Sequence, residues 1–240
     1  MKPLLDIHNH TIASGHAFST LQEMVKAAAE KGIKYFGITD HAPACPGAPT
    51  PIYFWNYPLI PREMYGVHLM MGCELDILDT KGTVDLSEKH LERMDVCLAG
   101  IHSLCWNPGT KSENTDGVLT VMHNRHINVI AHPGDGTAEL DFEALVNASR
   151  QTGTLLEINH ASLKPYRHKL TARENNRQIL MLCKERGIPV IIGADAHISF
   201  DIADYKYALP LVEEVEFPKE LIVNYNPDLF FEFTGRNKPE

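Results

Sequence analysis

Short apolar runs recur along the chain, and each is apolar nearly throughout instead of alternating with polar positions. This pattern is typical of strands in a parallel sheet that is covered on both faces. The runs that fit buried strands are residues 4–8, 35–39, 69–75, 96–101, 127–131, 155–158 and 190–194. The pattern therefore predicts seven parallel strands.

Amphipathic helical patterns lie between the apolar runs. Leu21–Lys31 carries a stripe of apolar residues and is flanked by a capping box, Ser19-x-x-Gln22, and a terminating glycine. Ala172–Arg186 repeats this stripe ahead of the final strand. Further helices are predicted from the cap Asp141 to the stop at residue 153, and over residues 86–94 and 114–126.

Alternating strands and helices predict a parallel sheet with right-handed crossovers. Seven units favour a closed barrel over an open doubly wound sheet, and 240 residues is the usual size of one α/β barrel, so we predict a single domain over residues 1–240. Residues 42–62 contain six prolines, which excludes a regular helix or a central strand there. We predict a long loop that stands over the carboxyl ends of the strands.

The composition, 44% hydrophobic and 22% charged, is that of a globular protein and excludes disorder and membrane-spanning segments. The first residues leave no room for a secretion signal. Five cysteines without a C-x-x-C pair indicate neither a disulfide framework nor a thiolate zinc site, which favours a reducing cytoplasm. A net charge of −9 without a basic run argues against nucleic-acid binding.

Potential metal ligands follow almost every apolar run. His8 and His10 follow the first run, at an i, i+2 spacing that puts both side chains on one face of a strand, and Asp195 and His197 follow the last at the same spacing. Barrel enzymes gather their chemistry at the carboxyl ends of strands. Nine donors lie at or just after such ends: His8, His10, His16, His41, Glu74, His102, His132, Asp195 and His197.

Imidazole nitrogens and carboxylates are ligands for zinc, iron or manganese, and a carboxylate can bridge two cations. Nine donors with one bridging acid can therefore supply three metal sites. The chain has 13 histidines, and those outside this set lie in predicted helices or away from strand ends. We interpret them as structural or solvated: His68, His90, His123, His126, His160 and His168.

As a set, these strand-end motifs resemble those of the PHP (polymerase and histidinol phosphatase) domain family, and most of all its YcdX-type phosphatases. The resemblance covers nearly the whole chain, from residue 4 to about residue 199. The motifs are Asp6-Ile7-His8-Asn9-His10, Gly37-Ile38-Thr39-Asp40-His41, Gly72-Cys73-Glu74, Gly100-Ile101-His102-Ser103, Ile130-Ala131-His132-Pro133 and Gly193-Ala194-Asp195-Ala196-His197. The resemblance implies a distorted (β/α)7 TIM-like barrel that carries three zinc ions.

The resemblance also implies how the nine donors divide among the ions. The first ion would be bound by His8, His10, Glu74 and Asp195. Glu74 would bridge it to a second ion at His102 and His132, and the third would be bound by His16, His41 and His197. Glu74, Asp195 and His197 are the expected catalytic residues. Manganese and iron remain alternatives to zinc.

A polar cluster after the sixth strand is similar to one in the family and is our prediction for binding phosphate oxygens. It consists of Arg167, Asn176 and Arg177, although surface salt bridging is an equal alternative for Arg167. His160 stands where similar proteins often have a small polar residue, which would change the fit of the substrate.

These features predict a metal-dependent phosphoesterase that hydrolyses a small phosphomonoester with a metal-activated hydroxide. The alternatives are an amidohydrolase or deaminase, a PHP-type exonuclease, and a non-catalytic metal-binding module. Amidohydrolases also begin with His-x-His, but their pattern lacks the acid that ends the third strand here, Glu74, and the final Asp-x-His. The acidic balance disfavours the exonuclease, and the complete donor set disfavours the module. Self-association is left open.

Overall fold

The computed structural model describes residues 2–239, and its centre is a sheet of parallel strands that is nearly closed into a barrel. Each of the seven predicted runs overlaps one of these strands, in the order β1-β2-β4-β5-β6-β7-β8. A short strand, β3, pairs antiparallel with β4 and was not expected. The strands are β1 Leu5–Asp6, β2 Tyr35–His41, β3 Glu63–Met64, β4 Val67–Asp76, β5 Val96–Gly100, β6 Val129–Ile130, β7 Leu155–Asn159 and β8 Val190–Gly193.

A single bridge closes the gap between β1 and β8. Asn9 pairs in parallel with Ala196, and the backbone N–H of His10 donates to the carbonyl oxygen of Ala196 at 2.9 Å. These residues belong to the first and last ligand motifs. The donors of both motifs lie just beyond the ends of β1 and β8, so they are not part of a regular strand as predicted. His8 and His10 nevertheless face the same way, because both reach Glu74 Oε2. The bridge, and not a continuous strand, brings the two motifs together.

Helices follow most of the strands and cover the outside of the sheet. Three of them have the predicted bounds, Leu21–Lys31, Phe142–Thr152 and Ala172–Arg186, whereas the helices predicted over 86–94 and 114–126 have ends that differ by several residues. The helices are α1 Leu21–Lys31, α2 Pro51–Trp55, α3 Glu88–Leu91, α4 Lys111–Met122, α5 Phe142–Thr152, α6 Ala172–Arg186, α7 Leu209–Glu214 and α8 Pro227–Thr234. No helix within residues 2–239 is both long enough and apolar enough to span a membrane.

The capping box of α1 lies one residue later than predicted. Thr20 accepts the backbone N–H of Glu23, and the Glu23 carboxylate accepts the backbone N–H of Thr20 at 2.7 Å. The hydroxyl of Ser19, the predicted cap, accepts the backbone N–H of Ser199 at 3.0 Å instead. A tertiary contact therefore uses the side chain that the local pattern assigned to the cap.

The proline-rich segment 42–62 is more ordered than the predicted loop. It contains the short helix α2, which starts at Pro51 because proline has no N–H to lose in the first helical turn. Phe54 and Tyr57 are buried, and the Tyr57 hydroxyl donates to the carbonyl oxygen of Gly72 at 2.8 Å. The exclusion of a regular helix is thus wrong for α2.

The apolar core has two parts, and the alternation of side chains along β4 separates them. Met71 and Leu75 face the outer helices, whereas Met70 faces the barrel interior together with Leu98 and Phe230. Glu74 lies four residues after Met70 and therefore shares its inward face. The inner apolar residues form a floor below Glu74, and burial of each large side chain contributes about 1.5–3 kcal/mol.

Candidate metal centre

The Glu74 carboxylate lies at the centre of a cluster of imidazole rings at the carboxyl end of the barrel. Its side chain is 1% exposed. Oε2 lies 3.3 Å from His8 Nε2, 3.4 Å from His10 Nε2 and 3.1 Å from His41 Nδ1. Oε1 lies 3.2 Å from His102 Nε2 and 2.8 Å from His132 Nε2. The two oxygens thus face two different groups of histidines, as a bridging carboxylate does.

The donors expected at the first ion have the spacing of a tetrahedral shell. His8 and His10 Nε2 lie 3.7 and 3.3 Å from Asp195 Oδ1, in addition to their contacts with Glu74. Ligands placed tetrahedrally around zinc at about 2.0–2.1 Å lie about 3.3–3.4 Å from one another. These residues therefore fit a zinc-sized cation.

The remaining donors form two neighbouring groups. His102 Nε2 lies 3.1 Å from His132 Nε2, beside Glu74 Oε1. His16 Nε2 lies 3.0 Å from His197 Nε2, and the rings of His16 and His41 stack with 4.9 Å between their centroids. All nine predicted donors are thus brought together in three groups.

Several polar atoms of the cluster are buried without a hydrogen-bond partner among residues 2–239. They are His8 Nε2, His10 Nε2, His41 Nδ1 and Glu74 Oε2. Leaving a buried polar atom unpaired costs about 1–3 kcal/mol, and these four converge on one space. Divalent cations would satisfy them together, so the donor set fits the metal chemistry that the sequence predicts.

Glu157 supports two of the predicted ligands and was missed by the sequence analysis. Its Oε1 accepts from His8 Nδ1 at 2.6 Å, and its Oε2 accepts the backbone N–H of His132 at 2.7 Å. Gly193 makes room for it, since an added Cβ at that position would lie 1.5 Å from Glu157 Oε1. The feature of the sequence that could have revealed this role is the presence of an acid inside the apolar run 155–158.

Two further acids support other histidines in the same way. Asp76 Oδ1 accepts from His102 Nδ1 at 2.6 Å. Asp40 Oδ1 accepts the Ser14 hydroxyl at 2.6 Å, and that hydroxyl lies 3.2 Å from His10 Nδ1. Such contacts fix the ring orientation and leave the opposite nitrogen, Nε2, free to bind a metal.

Charge in the metal-free cluster is distributed between acids and imidazoles. Burial alone would lower the pKa of His102, but Glu74 and Asp76 raise it to about 10, and Glu157 and Glu74 likewise raise the pKa of His8 against burial. Burial would raise the pKa of Glu74, but His8 and His41 hold it well below its usual range. Protons on His8 and His102 thus balance buried carboxylates, and bound cations would replace those protons. Burial instead lowers the pKa of His16, His41 and His197.

Two predicted ligands have left-handed backbone conformations. His132 has φ 34° and Asp195 has φ 50°. Such conformations cost about 1–3 kcal/mol for residues other than glycine and persist only where the surroundings impose them. Here both residues lie just beyond strand ends, and the unusual turns direct their side chains toward Glu74.

A cavity of about 280 Å³ opens above the cluster. Its lining includes the cations Arg167 and Lys169 together with Glu74 and His102. The Lys169 ammonium is paired with Asp135 at 2.8 Å, so the exposed Arg167 guanidinium is the less neutralised of the two cations. The cavity therefore joins a group of metal-binding side chains to a cationic wall.

The structure places the other two predicted phosphate-binding residues outside this cavity. The buried Asn176 donates to the carbonyl oxygen of Ala172 at 2.7 Å and holds the start of α6. Arg177 lies on the surface, 3.4 Å from both Glu174 and Glu214. Neither is in position to touch a ligand at the cluster, because other groups already occupy their donors.

His160 is buried beside the site without lining the cavity. Its ring stacks on Tyr207 with 5.4 Å between centroids, and Nδ1 accepts the backbone N–H of Tyr207 at 3.4 Å. Burial and the nearby Lys164 lower its pKa to about 4. His160 is therefore neutral near pH 7, which agrees with a structural role.

This lowered pKa predicts an acid-dependent loss of stability. An unfolded histidine takes up a proton near pH 6.5, but the folded His160 does so only near pH 4. Between these pH values the unfolded chain therefore binds more protons than the folded chain, and the free energy of unfolding decreases as the pH falls. Between pH 7 and pH 5 this amounts to about 1–2 kcal/mol. We expect His160→Asn, which keeps an acceptor, to reduce the loss by this amount in urea unfolding of metal-free protein. Equal losses in both proteins would contradict it.

Comparison with known proteins identifies the family. The model of the PHP domain matches residues 6–226. The chain belongs to the PHP domain family. This PHP domain is 43% identical over 229 residues to a protein of Caldicellulosiruptor saccharolyticus named "Probable phosphatase", with 95% of each chain covered. It is 40% identical over 238 residues to a protein of the same name from Acetivibrio thermocellus, covering 99% of this chain and 98% of that one.

A solved structure shows the same fold at low sequence identity. It is a histidinol phosphate phosphatase from Lactococcus lactis, complexed with zinc, L-histidinol and phosphate. The TM-score is 0.59 at 17% identity, with 90% of this PHP domain and 95% of that chain covered. At this identity the likeness supports the barrel fold and no particular substrate.

Proposed function

We propose that this PHP domain is a metal-dependent phosphatase that hydrolyses a small phosphomonoester at a trinuclear site, with zinc as the preferred metal. The convergence of five histidines on the buried Glu74 carboxylate, with Asp195, His16 and His197 beside them, carries the proposal. The names of the relatives support the class of reaction, and the zinc and phosphate bound by the structural neighbour support the chemistry.

When bound, divalent cations lower the pKa of water toward about 7 and neutralise charge on the phosphoryl oxygens. The protein supplies the ligands and their orientation. Glu74 would bind two ions, one through each oxygen, whereas Glu157 and Asp76 keep His8 and His102 turned toward the site. His16, His41 and His197 would hold the third ion. No side chain is required as a nucleophile.

Arg167 would bind the outer oxygens of the phosphoryl group. Its guanidinium lines the cavity wall, and a guanidinium can donate two parallel hydrogen bonds to a phosphate. The cavity is small enough to favour a metabolite-sized ester over a polymer. The charge of −9 also disfavours a polyanionic nucleic acid.

The test of this function is metal analysis of freshly purified protein combined with parallel substrate assays. We expect bound divalent metal, hydrolysis of small phosphomonoesters, and loss of that hydrolysis after chelation with recovery on adding zinc. Amides and single-stranded DNA serve as the competing substrates. Faster hydrolysis of an amide would favour the amidohydrolase, nuclease activity would favour the exonuclease, and a metal-loaded protein without any activity would favour the non-catalytic module.

Replacement of Arg167 tests the substrate wall separately from the metal site. We expect Arg167→Ala to raise KM for a phosphomonoester about tenfold, which corresponds to about 1.4 kcal/mol, and to leave the bound metal unchanged. Arg167→Lys should recover part of the loss because it restores charge without the two-pronged geometry. Steady-state kinetics measures both effects.

Arg177→Ala is the matched control, since Arg177 pairs with Glu214 away from the cavity. Its KM should equal that of the wild type. An unchanged KM in Arg167→Ala, or an equal increase in both variants, would remove Arg167 from the substrate site.

A further inference from the structure

A thiol lies among the imidazoles that are expected to hold the third ion. The ligand atoms of His16, His41 and Cys45 all lie within 4.8 Å of one another. Cys45 is 6% exposed. The family resemblance assigns His16, His41 and His197 to this ion and gives no role to a cysteine.

The backbone around Cys45 is fixed in this position. The loop that carries it meets the loop before His16 at Gly47 and Gly15, where an added Cβ on Gly15 would lie 2.3 Å from the carbonyl oxygen of Gly47. Gly15 has φ 82° and Gly47 has φ 90°, so neither position accepts another residue without strain. The backbone N–H of Ala44 also donates to Asp85 at 2.8 Å. The thiol is therefore held beside His16 by backbone packing.

A fourth donor lies at the same place. His197 Nε2 lies 3.0 Å from His16 Nε2, and the ligand atoms of His197 and His41 lie within 4.8 Å of each other. A cation at the common centre would draw His16, His41 and Cys45 inward by less than about 1 Å to reach normal zinc–nitrogen and zinc–sulfur distances. Small side-chain movements are enough for that.

We propose that Cys45 is a thiolate ligand of the third ion, which completes a shell of three imidazole nitrogens and one sulfur with His16, His41 and His197. This inference rests on the proposed function, because it concerns one ion of the same site. On binding, the thiol releases its proton to solvent and the sulfur binds the cation. A thiolate favours zinc over manganese or magnesium, so the third position would retain zinc most firmly.

Cobalt substitution tests the thiolate directly. Metal-free, reduced wild-type protein titrated with Co²⁺ should develop a near-ultraviolet thiolate-to-cobalt charge-transfer band. Cys45→Ala and Cys45→Ser should lack the band and should retain one ion fewer per chain than the wild type after dialysis against a weak chelator. The serine variant keeps the size of the side chain, so it remains informative if the alanine variant does not fold.

Cys183→Ala is the matched control, since Cys183 is a buried thiol of α6 that belongs to the outer apolar core. It should keep both the band and the metal content. A wild-type protein that binds cobalt and hydrolyses phosphomonoesters without a charge-transfer band would overturn the thiolate and leave the phosphatase intact. A protein that binds no divalent metal would overturn both. Because the Cys45 thiol also contacts the Cys105 thiol, a Cys45–Cys105 disulfide that persists in the metal-loaded protein would also overturn the assignment.

Discussion

Glu74→Gln is expected to reduce kcat for a phosphomonoester by about 10³-fold or more. The carboxylate contacts five histidines through its two oxygens. Glutamine keeps the shape but loses the charge, and its NH2 group would face ring nitrogens or a cation in place of an acceptor. We therefore also expect less bound metal per chain, measured on the same sample as the kinetics.

The control for this variant is Glu30→Gln on the exposed side of α1, which removes one negative charge far from the cluster. Its kcat and metal content should match those of the wild type. Activity of Glu74→Gln within tenfold of the wild type would refute the bridging role, because no other described carboxylate faces both groups of histidines.

Glu157→Gln should weaken metal binding about 10- to 100-fold although Glu157 is not expected to touch a metal. One carboxylate oxygen orients His8 and the other accepts the backbone N–H of His132. The glutamine amide has only one oxygen, so it can accept from only one of these two donors. Its NH2 group would then face the other donor, either His8 Nδ1 or the His132 backbone N–H. The metal-free protein should also lose about 1–3 kcal/mol of unfolding free energy.

Competition with a chromophoric chelator measures the affinity, and urea unfolding measures the stability. Glu213→Gln, on the exposed surface of α7, provides a comparison with the same chemical change. If Glu157→Gln binds metal as tightly as the Glu213 variant, the contacts of Glu157 serve packing alone. If affinity falls while stability does not, its role is confined to ligand orientation.

The strands were the most predictable part of the fold because strands buried on both faces need apolar residues at nearly every position. All seven predicted runs overlap a strand. The three helices with apolar stripes and terminal glycines also have the predicted bounds. Predictions were wrong where tertiary contacts compete with the local pattern. At Ser19 the hydroxyl accepts the backbone N–H of Ser199, and after Pro51 the segment packs Phe54 into the core.

The predicted donors were recognisable because their side chains are unusual at the ends of apolar runs. The supporting acids were harder to assign: Glu157 lies inside a run, and its partner His8 is distant in sequence. The sequence could not show which of Arg167 and Arg177 lines the site, because both are cations of a type common at surfaces and both lie near the same helix. Only the fold shows that Arg177 pairs with Glu214 whereas Arg167 lines the cavity.

The bridge between Asn9 and Ala196 has a consequence for the synthesis of the protein. His8 and His10 leave the ribosome early, but Asp195 and His197 join them only after β8 has been made. Closing such a long loop is slow compared with the formation of local helices. A cation bound by His8, His10, Glu74 and Asp195 would therefore gain its full set of ligands only after β8 has been translated, which would delay metal uptake until a late stage of folding.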